Sequence, residues 1–188
     1  MSRHAPQTIA LLAIAALAAG ALSSCKREER LRPAPPPPNM QQGIPPPQTM
    51  QQMNAPGGRI PALEQAVKSD PKNVDAWISL GNEYFDTRQP QKAIEAYGKA
   101  LELRPNDANV LTDQGVMYRD AGDPDKAIAN FKKASEVDPR HVQSVFNMGV
   151  VYTEQGKKDL AKQAYNRVIQ MDPNGPHGQQ AQRALQGL

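Results

Sequence analysis

From Trp77 onward, apolar and small residues return every thirty-four positions. Trp77, Leu111 and Val145 share one phase, Gly81, Gly115 and Gly149 a second, and Tyr84, Tyr118 and Tyr152 a third. Ala93, Ala127 and Ala161 follow, then Tyr97, Phe131 and Tyr165, and Pro105, Pro139 and Pro173 close each period. A period of this kind is one supersecondary unit that cannot bury its apolar face alone and has to stack on its neighbours. Within a unit, Trp77, Leu80, Gly81 and Tyr84 fall at i, i+3, i+4 and i+7, one face of a helix. Ala93, Tyr97 and Ala100 give a second helix the same kind of face. The glycine and alanine let the paired helices approach, and the tyrosines fill the space beside them. Gly122 and Gly156 predict helix C-termini, and Asp123-Pro124 predicts an N-cap followed by a first-turn proline.

The set Trp77, Leu80, Gly81, Tyr84, Ala93, Tyr97 and Pro105 resembles the tetratricopeptide repeat (TPR) pattern, W-x2-L-G-x2-Y, A-x3-F, P. Three full repeats are expected, at 74–107, 108–141 and 142–175. Gln114 and Met148 replace the pattern's leucine, and Val168 stands where the first two repeats have Ala100 and Ala134. The phase runs on at both ends. Leu63 and Ala66 match Tyr97 and Ala100, so residues 60–70 read as a second helix without its first. Residues 176–188 read as a capping helix with Ala181, Ala184 and Leu185 inward. The resemblance implies an all-α domain over 60–188. It is a right-handed superhelical α-solenoid of three TPR units, an N-terminal half-repeat helix and a C-terminal capping helix, eight helices in all.

The N-terminal part has a different pattern. Fourteen uncharged residues, Ile9 to Leu22, follow a short positive start at Arg3. A helix of that length spans roughly 21 Å, against a hydrocarbon core of roughly 30 Å. The run suits the apolar region of an export signal over residues 1–24. Leu22-Ser23-Ser24-Cys25 closes it and resembles the bacterial lipobox, which holds the only cysteine in the chain. The resemblance implies a diacylglycerol on the Cys25 thiol, cleavage just before it and acylation of the new N-terminus. Several acyl chains hold a protein on a membrane where one does not. The alternative is an ordinary secretory signal cut by the general peptidase, with an incidental cysteine. Lys26, Arg27, Arg30 and Arg32 follow the run and oppose an uncleaved anchor with its N-terminus inside.

Residues 25–59 combine the lipidated cysteine with a spacer rich in proline and glutamine, including "PPPP" at 35–38 and "PPP" at 45–47. Little in it is apolar enough to offset the entropy of ordering. Extended polyproline rises ~3.1 Å per residue, so the spacer reaches roughly 100 Å at most.

Charge excludes one class of partner. The net charge of +3 comes from Arg3, Lys26, Arg27, Arg30 and Arg32 set against Glu28 and Glu29. From Arg59 to Leu188, seventeen basic residues balance seventeen acidic ones, so the repeat domain has no excess for nucleic acid. No metal-ligand spacing, phosphate loop or nucleophile–base arrangement stands out, and the tyrosines occupy packing positions. The sequence therefore predicts a chain that is not an enzyme and has no cofactor.

The first helix of each repeat in this family lines a concave groove that holds a peptide. Carried over by position, the resemblance implies a groove of Ile78, Asn82, Phe85 and Asp86, then Asp113, Val116, Arg119 and Asp120, then Phe146, Asn147, Val150 and Glu154. Asp75 and Gln143 lie on the same face. The family's carboxylate clamp needs cations at positions held here by Ile78, Asp113, Gln143 and Asn147, so a clamp is not expected. Apolar anchors with acidic edges point to a partner segment carrying apolar and basic residues. The resemblance implies a bacterial cell-envelope lipoprotein acting as scaffold or adaptor, as for pili, outer-membrane proteins or wall enzymes. Lys26 stands where some bacteria use aspartate for inner-membrane retention, which points outward. The alternative is a structural spacer or self-associating component without a groove ligand.

Overall fold

The computed structural model describes residues 55–188. The signal segment, Cys25 and the spacer up to residue 54 lie outside them.

Eight helices follow in order among the described residues. They are α1 (Ile60–Ser69), α2 (Val74–Asp86), α3 (Pro90–Leu103), α4 (Ala108–Asp120), α5 (Pro124–Val137), α6 (Val142–Glu154), α7 (Lys158–Met171) and α8 (Pro176–Gln186). Helices α2, α4 and α6 begin thirty-four residues apart, and so do α3, α5 and α7. The starts are set by caps. Asn73 Oδ1 accepts from Ala76 N at 3.0 Å, and Asp107 Oδ1 accepts from Val110 N at 3.1 Å. The same place before α6 is taken by His141, whose Nδ1 accepts from Ser144 N at 3.3 Å. Helices α3 and α5 open on a proline, whose missing N–H costs nothing in the first turn.

Each helix packs on the next, giving an all-α solenoid of three repeats with α1 as half-repeat and α8 as cap. The close approach rests on glycine. A Cβ on Gly81 would meet the Tyr97 ring at 2.5 Å, one on Gly115 the Phe131 ring at 2.5 Å, and one on Gly149 the Tyr165 ring at 2.6 Å. Those three rings are almost wholly buried, each contributing about 1.5–3 kcal/mol. Two apolar clusters result. One is centred on Leu80, Tyr84 and Tyr97, the other on Phe131, Val145 and Tyr165. Ala181 of α8 is fully buried in the second, while Ala184 and Leu185 pack at its edge. In α1 the buried residue is Val67; Leu63 and Ala66 are only half-buried.

Residues 57–59, read from the sequence as the end of the spacer, are held against α2. Glu83, 4% exposed, accepts from Gly57 N at 3.0 Å and from Arg59 Nε at 2.6 Å. A buried carboxylate needs such partners, so the packed body begins a few residues before α1.

Candidate functional site

All twelve residues expected in the groove lie on α2, α4 and α6. Helix α4 packs directly on α6, and α6 on α8, whereas α2 and α4 approach each other less closely. Two adjoining cavities open along that looser seam. The first, about 300 Å³, is lined by Asn82, Phe85, Asp86, Tyr97 and Asp113. The second, about 270 Å³, is lined by Phe85, Asp86, Arg88, Val116, Met117, Arg119 and Asp120. Phe85 and Asp86 belong to both, so the two cavities form one groove.

The structure thus brings together Asn82, Phe85, Asp86, Asp113, Val116, Arg119 and Asp120. The other five lie elsewhere. Ile78 packs against the first apolar cluster. Phe146 lies between helices, its ring centroid 5.7 Å from that of Tyr165 and 5.8 Å from that of His177 at the start of α8. Val150 is half-buried and Glu154 exposed at the end of α6. Asn147 holds its Nδ2 away from solvent with no hydrogen-bond partner among the described residues.

Three lining residues were missed: Arg88, Met117 and Tyr97. Tyr97 does pack on Gly81, but its hydroxyl also donates to Asn82 Oδ1 at 2.8 Å and reaches the first cavity. The only signal was one polar exception: repeat one sets Asn82 where repeats two and three have Val116 and Val150, opposite Phe131 and Tyr165.

The charges in the groove are unevenly matched. Asp120 pairs with Arg119 at 2.9 Å. Asp75, on the same face of α2, pairs with Arg104 at 3.2 Å. Among the described residues, neither Asp86 nor Asp113 has a basic side chain within 4.0 Å. Burial pushes the Asp113 carboxyl up to about 6, and the charge of Asp107 adds to it. Burial also raises the Tyr97 hydroxyl far above its usual value, helped by Asp113 and Asp86. The result is a groove with aromatic and aliphatic surface and two uncompensated carboxylates. Concave apolar surface with a few placed polar groups has the general character of a binding site. Among the described residues, no three His, Cys, Asp or Glu side chains gather as a metal site.

A family model described as the cytochrome c-type biogenesis protein H TPR domain matches residues 46–177. A crystal structure of MamA is similar with a TM-score of 0.67 at 24% identity, covering 76% of this chain and 81% of that one. A second MamA structure gives 0.63 at 25% identity, over 73% and 78%. The Sgt2 TPR domain from Aspergillus fumigatus gives 0.56 at 25% identity, over 61% and 75%. No curated protein matches the chain.

Proposed function

The chain belongs to the family described as the cytochrome c-type biogenesis protein H TPR domain, and on that premise we propose that it is a membrane-anchored adaptor of a bacterial cell envelope, docking a protein segment in the α2–α4 groove. TPR domains are protein–protein interaction scaffolds, so the finer questions are which surface binds and where the scaffold sits. One observation carries the surface: eight residues from α2 and α4 converge on adjoining cavities that join the half-buried Phe85 and Val116 to carboxylates without a basic partner among the described residues. Apolar anchors in a concavity supply affinity, and the carboxylates select basic residues in the partner. The family's description attaches it to an assembly task, which supports an adaptor over a structural spacer.

The location rests on Leu22-Ser23-Ser24-Cys25 after an apolar run. Acylated at Cys25 and spaced by the proline-rich segment, the repeat domain faces the periplasm or the exterior, with the outer membrane as its site. Palmitate labelling of the full-length chain, lost in Cys25→Ser, tests the anchor.

The groove is tested by co-purification from the protein's own membranes. Asp86→Lys reverses a charge that lines both cavities, and Lys133→Glu reverses one on the exposed side of α5. The proposal expects a partner lost with Asp86→Lys and kept with Lys133→Glu, both variants folding as the wild type by circular dichroism. Partners kept equally by both would end the groove reading.

A further inference from the structure

We infer that the cavity lined by Asn82, Phe85, Asp86, Tyr97 and Asp113 is a receptor for one lysine side chain of the docked partner. The inference rests on the adaptor reading above and names what its groove selects. A void of about 300 Å³ has room for one extended side chain and not for a helix. Its chemistry is complementary to an ammonium on an apolar stem. The half-buried Phe85 ring offers surface for methylenes and a π-face for a cation, while Tyr97, its ring packed on Gly81, presents its hydroxyl. Asp86 comes from α2 and Asp113 from α4, and neither has a basic partner among the described residues. Asn82 Oδ1, already accepting from the Tyr97 hydroxyl, keeps a second lone pair. Three acceptors on separate side chains suit the three donors of an ammonium. A guanidinium fork is matched best by both oxygens of one carboxylate. The same chain sets lysine against aromatic rings twice elsewhere, Lys92 over Tyr84 at 5.3 Å and Lys126 over Tyr118 at 5.4 Å.

The pocket also makes docking depend on pH. The groups around Asp113 are Asp86 from α2, Tyr97 from α3 and Asp107 at the N-cap of its own helix, with Arg119 and Asp120 of that helix lining the adjoining cavity. Arg88 lies in the adjoining cavity, and His141 of the turn before α6 approaches the neighbouring Thr112 at 3.4 Å. Arg119 is engaged by Asp120, and burial lowers the His141 pKa so that the ring is neutral at pH 7. Asp113 therefore ionises late, near about 6, and an incoming ammonium displaces its proton. If only the ionised form accepts lysine, the competent fraction falls about tenfold between pH 7.5 and pH 5.

The test uses the full-length chain and fluorescence anisotropy of labelled octapeptides of leucine and alanine. The central residue is lysine, arginine or norleucine, the last keeping the stem without the charge. At pH 7.5 the lysine peptide should bind at least about tenfold tighter than the norleucine peptide and tighter than the arginine peptide. At pH 5 its advantage over norleucine should shrink about tenfold. Asp113→Asn should bring the lysine-to-norleucine ratio to about one, and Asp113→Glu should retain part of the preference. Equal affinity for lysine and norleucine overturns the pocket, as does a preference that survives Asp113→Asn. If both peptides bind equally and Val116→Ala weakens both, the groove stands as a docking site and only the lysine receptor falls. Binding by neither peptide overturns the receptor, and the co-purification result then decides the groove independently.

Discussion

Arg88 and Gly122 stand thirty-four residues apart and share a left-handed backbone, φ 56° and 83°. Gly156 takes the same place in the third repeat at φ 70°. Repeats two and three use the residue that suffers least in this region; repeat one uses an arginine that lines the groove. An L-residue with a Cβ pays about 1 kcal/mol there. Arg88→Gly should therefore raise stability by about 1 kcal/mol in urea unfolding and weaken or broaden partner selection. A loss of stability would mean that the arginine side chain makes contacts outweighing its backbone cost.

Two glycines should respond in opposite directions to alanine. Gly115 touches the Phe131 ring so closely that a methyl cannot enter without displacing it. Gly115→Ala should cost about 1–3 kcal/mol. Gly98 lies inside α3, where a new Cβ would have its nearest neighbour, Gln114 Nε2, at an ordinary 3.5 Å. Gly98→Ala should gain about 0.5–1 kcal/mol. Thermal melts of the two variants, moving apart from the wild type, check both.

Asp113 is a cost that the fold carries at neutral pH. Its carboxyl titrates at about 6 in the folded chain against 3.8 ordinarily, so the stability linked to it is full below pH 3.8 and is lost as pH rises through 6. A shift of about two units corresponds to up to about 3 kcal/mol. Asp113→Asn should match the wild type near pH 3.5 and exceed it at pH 7 by up to that amount. An advantage independent of pH would show that burial of the charge is not the cause.

His141 acts the other way. Its Nδ1 accepts from Ser144 N, so Nε2 carries the hydrogen and donates to Asn109 Oδ1 at 3.0 Å, tying the start of α6 to α4. Burial lowers its pKa from 6.5. The stability it contributes is fully present above pH 6.5 and is lost as pH falls through the lower folded value. His141→Asn keeps a cap acceptor without a titration and should flatten that loss between pH 7 and 5. Equal acid sensitivity in both chains would place the loss elsewhere.

The helices were legible because their packing repeats. Gly81, Gly115 and Gly149 each face the aromatic ring of the second helix, so three copies of one constraint stand in register. In the first two repeats, position along the helix anticipated which residues line the cavities between α2 and α4, apart from Ile78, which packs on the core instead. It anticipated less in repeat three, because α8 follows no repeat pattern and nothing in its sequence announced that His177 would sit 5.8 Å from Phe146. Arg88 was passed over because its place reads as a turn, and Tyr97 because a packing residue can hide a second role in its hydroxyl. Both demand a view of neighbouring elements that periodicity along one helix does not give.

In the proposed adaptor the concave seam, and not the outer face, receives a partner. A photocrosslinking amino acid at position 86 in the full-length chain, in its own cells, tests it most directly, with position 133 on α5 as the control. A discrete adduct with a foreign protein is expected from position 86 and not from position 133. Adducts from 133 alone, the same adducts from both, or adducts only between copies of this chain would contradict it and favour a structural, self-associating role.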